Sequence, residues 1–345
     1  MIGLPEILAA AMLVALTAYV LTGGADFGGG VWDLFARGPR RDAQRALVSR
    51  AIGPIWEANH VWLILVVVLL FTCFPRAFAA LSVALHVPLS LALVGIVMRG
   101  AAFAFRGTFA GGGAEERRWG RVFSIASTVT PVLLGMMVGA IATGGVGEAA
   151  ARAAPAVLRS AAVAPTFASI YVQPWLTPFT VAVGLLALAL FALLAAVYLC
   201  VEATDAPLQD DFRRRALGAC TAVGVLGAAA LLLARLDEAH VGAPLTASPL
   251  ALPVQGLAAL ATIATTVALA RRRWGAARVA AALLASVVLW GWAVAQFPYV
   301  LPPALTLRDA AAPERTLGLT LGALTLGGAV LAPSLWYLFR VFKSR

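Results

Sequence analysis

Two acids stand where carboxylates are expensive. Asp26 lies in Thr22-Gly23-Gly24-Ala25-Asp26-Phe27-Gly28-Gly29-Gly30, at the close of a hydrophobic run. Glu57 lies in Pro54-Ile55-Trp56-Glu57-Ala58-Asn59-His60-Val61-Trp62, at the opening of the next. Proline is tolerated in the first turn of a helix, so Pro54 predicts a helix start that puts Glu57, Asn59 and His60 within one turn. Charged and polar side chains in such a segment face a partner or a water-filled path. Asp26 precedes Arg37 by eleven residues and Glu57 follows Arg50 by seven. At 1.5 Å per residue both acids sit roughly 10–16 Å in from the same basic row. A short connection makes the two segments antiparallel neighbours, so the carboxylates meet at similar depth and suit proton transfer. Glu57 alone also reads as a helix-start acid favoured by the dipole; the second acid at Asp26 weighs against that.

Other polar residues are fewer. Arg99 closes the third apolar segment, either as an anchor at the basic side or as a counter-charge reaching back to a buried acid. His86, with apolar flanks, reads as a hydrogen-bonded structural histidine, and the pair Met136-Met137 as packing. Glu202 and Asp205, at the end of the fifth segment, are expected to pair with Arg213, Arg214 and Arg215. Cys73, Cys200 and Cys220 sit in three different segments without metal or redox spacing and read as small buried hydrophobes.

The elements that position these residues follow from composition. The 345-residue chain is 61% hydrophobic and 12% charged, against roughly 25% charged in a typical soluble domain. Apolar runs at 4–22, 52–74, 78–98, 122–142, 175–201, 216–234, 250–270, 277–297 and 317–339 each approach the length a bilayer requires. The expected fold is an all-α polytopic membrane protein of about nine transmembrane helices. It divides into a first four-helix bundle (1–142) carrying the polar motifs, an outside connection (143–174), a second four-helix bundle (175–297), and an outside loop with a final peripheral helix (298–345). The first run lacks a basic leading region and reads as a retained helix rather than a signal peptide.

The net charge of +10 does not indicate nucleic-acid binding, because the basic residues alternate by loop. Twenty lie in the first, third, fifth and seventh connections and the tail; six lie in the alternate set. This asymmetry predicts an N-terminus outside and a C-terminus in the cytoplasm. The glycines from Gly23 to Gly30 would be costly in a solitary helix but permit close approach between helices in a membrane. Gly23, Gly24, Gly28 and Gly29, with Trp56 and Trp62, are the candidate packing residues. A dinucleotide-binding loop is a poor account, since no strand precedes the glycines.

These stretches resemble subunit II of the cytochrome bd-type quinol oxidases. The resemblance rests on Thr22 to Gly28, on Pro54 to Ile64, on the Phe297-Pro298…Pro302 turn and on the Leu305-Thr306…Asp309-Ala310-Ala311 loop before Thr316-Leu317. It departs at Gly23, where members often carry an acid, at Glu57, commonly Asp, and at His60, often Gln or another polar residue. The resemblance implies a bacterial inner-membrane complex that oxidises quinol and reduces dioxygen to water. Its haems b and d and the quinol site belong to subunit I. This chain is then the haem-free partner, with no catalytic residue and no metal of its own, conducting protons from the cytoplasm; Asp26 and Glu57 are the candidate carriers, Asn59 and His60 the polar lining, and Arg99 the charge that holds one acid ionised. It also implies contact with lipid and quinone, a structural quinone in some members, and small single-helix accessory subunits as further partners. Three histidines, with His240 near the outside surface, are too few to ligate three haems here. A proton- or cation-coupled transporter shares midplane acids but shows symmetric interruptions in its halves. A purely structural membrane subunit has no need of two acids at matched depth.

Overall fold

A computed structural model of the chain describes residues 2–52, 56–108, 113–153, 166–236 and 239–343, with the backbone alone for 56–58, 107, 108 and six positions of the last helix. Helix α1 (Leu4–Leu34) opens on Pro5, which suits a first turn, and on Glu6, whose Oε2 accepts the Gly3 backbone N–H at 2.8 Å. It continues unbroken to Leu34, well past the 4–22 expected of the first span. Each glycine weakens a helix by ~1 kcal/mol relative to alanine. Tertiary contacts offset that cost, because neighbours fill the space a side chain would take. A Cβ on Gly24 would meet the Phe191 ring, one on Gly28 the Phe191 carbonyl and Ala195, one on Gly29 the Ile52 side chain, and one on Gly30 Ser127. Gly23 differs, being covered by Tyr19 of its own helix.

The neighbour that fills most of this space is α9 (Pro178–Glu202). Thr177 caps it, accepting the Thr180 backbone N–H at 3.2 Å, and Pro178 fixes its first turn. Sixteen of its 25 residues are buried. It lies between α1, α6 (Ala114–Thr143) and α10 (Ala206–Leu236). Gly135 and Gly139 of α6 bring that helix against Gly184 and Thr180 of α9. Because Gly24 and Gly28 follow Phe191 and Ala195 in the same order, α1 and α9 run parallel. One apolar cluster thus holds Tyr19, Phe27 and Val31 together with Leu190, Leu194, Cys220 and Leu284. Helix α1 therefore packs into both of the bundles expected from the sequence.

Between α1 and α6 stand α2 (Arg41–Ile52), α3 (Trp56–Cys73), α4 (Pro75–Ala84) and α5 (His86–Thr108). The apolar runs at 52–74 and 78–98 pointed to two consecutive straight spans. Instead α3 and α4 form a pair bent by 117°, because Pro75 lacks an N–H and its ring excludes the preceding helical carbonyl. The next crossing helix is α5, displaced toward the C-terminus relative to 78–98. Among the described residues seven helices are long and apolar enough to cross a membrane, and the bent pair makes an eighth. The ninth expected span falls within the last helix, described below. Helix α2 lies in what read as a plain loop; its buried Gln44, Leu47, Val48 and Ile52 fall on one face.

The 143–174 connection contains α7 (Gly145–Ala153) and α8 (Phe167–Tyr171). Beyond α10 come α11 (Gly242–Ala247), α12 (Ala251–Ala270) and α13 (Trp274–Gln296). A short antiparallel pair follows, β1 (Tyr299–Leu301) and β2 (Leu305–Thr306), then α14 (Leu307–Ala310) and α15 (Glu314–Lys343). The basic connections gather at one end of the molecule. There Arg40 pairs with Asp211 at 2.6 Å, Arg106 with Asp33 at 3.1 Å, and Arg272 with Asp210 at 3.1 Å. The opposite end holds Glu6 against Arg308 at 2.6 Å, and His240 edge-on to Tyr299 at 5.1 Å.

Candidate functional site

Asp26 projects from the middle of the glycine-rich half of α1, and it is buried. The glycines on either side draw α9 and α2 close to it. Asn59, on the first turns of α3, is also buried, and its Nδ2 donates to Asp26 Oδ2. The bond joins residues 33 apart in sequence, across the two segments that the short connection made neighbours. His60, half-buried beside it, lies 6.1 Å from the Tyr19 ring and 6.2 Å, edge-on, from Phe27. Glu57 falls in the first turn of α3, but its side chain lies outside the described residues, as does that of Trp56. Trp62 packs, partly buried, against the cluster that contains Tyr19 and Phe27.

Arg99, from the middle of α5, is the largest fully buried side chain among the described residues, with 1% of its surface exposed. Its guanidinium lies 4.6 Å from the Phe27 ring centroid and 5.5 Å from that of Phe123. Its Nε donates to Ser127 Oγ at 3.2 Å, while Nη2 has no hydrogen-bond partner among the described residues. Aromatic faces stabilise such a cation when water is excluded. Arginine remains protonated in proteins, so this site carries a fixed positive charge, and it interacts electrostatically with Asp26 and Tyr19. Of the two sequence readings for Arg99, an exposed anchor does not match this burial.

A cavity of about 190 Å³ adjoins the acid. Thr22, Ala25, Asp26 and Gly29 of α1, Val48 and Ile52 of α2, Asn59 of α3, and Tyr198 and Glu202 of α9 line it. A larger apolar groove of about 350 Å³ runs between α1, α9 and α10, past Trp32, Leu188, Ala192 and Ala222. Its indole N–H is already committed, donating to the Ala192 carbonyl at 2.8 Å.

A family model described as cytochrome bd terminal oxidase subunit II matches residues 4–342. The chain belongs to that family. Two subunit 2 relatives are similar over part of their length: the cytochrome bd ubiquinol oxidase protein of Bacillus subtilis (strain 168), 28% identical over 128 residues, and the cytochrome bd-I ubiquinol oxidase protein of Escherichia coli (strain K12), 30% identical over 135 residues. These stretches are 36% and 38% of this chain and 36% and 34% of the two relatives, about a third of the length of each. The fold matches a chain in the structure of bd oxidase from Geobacillus thermodenitrificans, with a TM-score of 0.78, 22% identity and 99% of each chain covered.

In this bd subunit II the sequence reading passed over a second buried acid. Asp33 is fully buried and accepts hydrogen bonds from Ser124 Oγ at 2.8 Å and Arg106 Nη1 at 3.1 Å, with Arg45 Nε at 3.7 Å. It ties α1 to α2, α5 and α6. Its place seven residues after Asp26, on the same helix face, was legible; its partners, up to 91 residues distant, were not. Arg213 pairs with Asp210 at 3.2 Å, and Arg215 donates to Gln44 Oε1 at 2.7 Å. Among the described residues no three His, Cys, Asp or Glu side chains group as metal ligands. The three histidines belong to no such group among the described residues. His86 Nδ1 lies 3.2 Å from the Val83 carbonyl, and its ring is edge-on to Tyr171 at 4.6 Å.

Proposed function

We propose that this chain is the haem-free second subunit of a bd-type quinol oxidase in a bacterial inner membrane. Its N-terminus lies outside, and the basic end described above faces the cytoplasm. It supports a haem-bearing subunit I, which oxidises quinol and reduces dioxygen to water. Within that complex this chain carries protons from the basic end toward the partner through Asp26 and Glu57, with Asn59 and His60 as polar lining.

One observation carries this reading: an acid buried among membrane helices, hydrogen-bonded to Asn59 and accompanied by a buried arginine. A fixed guanidinium charge inside a membrane protein demands a counter-charge. One carboxylate of the Asp26 and Glu57 pair supplies it, so the pair holds one proton between the two acids and titrates as a unit. Asn59 fixes the Asp26 carboxylate by donating to one of its oxygens. The small number of histidines, three, supports placing the haems in the partner. The groove beside Trp32 fits an isoprenoid tail but offers a quinone ring no uncommitted indole donor, so no step is assigned to a quinone there.

A tagged chain purified from its native membrane should bring down a haem protein whose spectrum shows b and d haems. The Glu57→Gln complex should retain that spectrum and consume oxygen more slowly. Haem absorbance from this chain alone would overturn the assignment.

A further inference from the structure

The cavity beside Asp26 is more than a packing defect, because the polar groups it touches are arranged in sequence along it. On α9, Ala195, Tyr198, Leu199 and Glu202 line it, at the i, i+3, i+4, i+7 spacing of a single helix face. On α1 the lining residues Thr22, Ala25, Asp26 and Gly29 repeat that spacing. The two faces run parallel, in register where Ala195 meets Gly28. From that contact Glu202 lies seven residues toward the basic end, and Asp26 lies two residues the other way. At 1.5 Å per residue the two positions stand about 14 Å apart along the helix axes. Val48, Ala51 and Ile52 of α2 form the third wall. Asp26 is buried at the inner end, whereas Glu202, the last residue of α9, is exposed.

We infer that this cavity is the proton intake of the subunit, with Glu202 as the acid at its mouth and α2 as the wall that closes it from the side. The inference rests on the proposed role of Asp26 and adds where its protons come from. Liquid water occupies ~30 Å³ per molecule, so the cavity has room for a short file of roughly six waters between the two acids. Glu202 takes a proton from the aqueous phase and releases it into the file, past Tyr198. Asp26 receives one at the inner end. When Asp26 passes that proton on toward the partner, each carboxylate is back in its starting state and one proton has moved inward. The arrangement also accounts for the amphipathic α2, which would otherwise be an unexplained helix inside a loop.

The test uses the assembled complex in liposomes, reading quinol-driven oxygen consumption against haem content. Glu202→Gln should slow turnover by roughly tenfold, less than the loss of a positioned acid–base group in direct chemistry, and Glu202→Asp should restore most of the rate. The slowed variant should show a larger rate loss in heavy water than the wild type, which a purely structural change would not produce. In Ala51→Cys, a bulky charged methanethiosulfonate added to the already assembled enzyme should plug the cavity and slow it, while the wild type given the same reagent should not respond. This arm needs no new folding and decides the matter if Glu202→Gln fails to assemble. Should Asp26→Asn slow turnover while both Glu202→Gln and plugged Ala51→Cys run at the wild-type rate, the intake is elsewhere and Asp26 keeps its role. Full turnover in Asp26→Asn would remove the underlying proposal, and the intake with it.

Discussion

Asn59 donates its side-chain amide to the carboxylate of Asp26 across the α1–α3 contact, in a buried setting. The bond fixes one oxygen of the acid and couples two stretches that are otherwise joined by the α2 connection. Asn59→Leu removes the donor and leaves Asp26 short of a partner, at a cost of about 1–3 kcal/mol for an unsatisfied buried group. Oxygen consumption should fall while haem content holds, and Asn59→Gln should be milder. Wild-type turnover in Asn59→Leu would show that the amide has no part in presenting Asp26.

Close packing at the α1–α9 crossing gives a second expectation. A side chain on Gly28 would collide with the Phe191 carbonyl, whereas Gly218 on α10 has open space around it. Gly28→Leu should destabilise the subunit by more than the ~1–3 kcal/mol typical of overpacking, because backbone cannot yield as a side chain can. Gly29→Leu should be less severe, since the obstacle is the end of the Ile52 side chain. Gly218→Ala should be neutral or slightly stabilising. Melting of the purified complex in detergent ranks the three.

Asp33 supplies the third. Its carboxylate is fully buried between Arg106 and Arg45, whose side chains are 18% and 25% exposed. Breaking such a pair from one side typically costs about 3–5 kcal/mol. Asp33→Asn should therefore lower the yield of assembled complex. Any complex that does assemble should turn over normally per haem, since Asp33 lies outside the Asp26 cavity. Slow turnover at normal yield would move Asp33 into the proton route instead.

Much of this arrangement was legible in the sequence because it depends on local rules. Alternating arginines sorted the helix ends, and the structure gathers the expected inside connections at one pole through contacts such as Arg40 with Asp211. The short connection made α1 and α3 neighbours, the spacing of Asp26 and Glu57 from flanking arginines set their depth, and the Asn59 bond joins those two helices. What was not legible depends on contacts between distant residues. Nothing local marks α9 as the central helix; its burial follows from glycines on α1 and α6. Asp33 reads as an ordinary helix-end acid until Arg106 and Ser124 are brought to it. Pro75 follows directly on the 52–74 run, but a break between apolar runs does not reveal a 117° turn.

Sidedness gives a fourth prediction. A single cysteine placed at Glu148 in α7, where Arg152 is its exposed partner at 2.7 Å, should react with an impermeant thiol reagent in intact cells. One placed at exposed Arg41 should react only after the membrane is opened. Reversal of the two would invert the orientation drawn from the arginine asymmetry.

The central claim is that protons reach the partner's oxygen-reducing haem through Asp26 and Glu57. The most direct measurement is quinol-driven oxygen consumption per haem in the Asp26→Asn, Glu57→Gln double variant of the assembled complex. Both substitutions keep size and hydrogen-bonding capacity while removing the exchangeable proton. The account predicts a normal haem spectrum, normal assembly, and turnover reduced by roughly a hundredfold, the scale of a lost positioned proton carrier. Full turnover with normal haem content would contradict it, and would place the proton route outside these two residues.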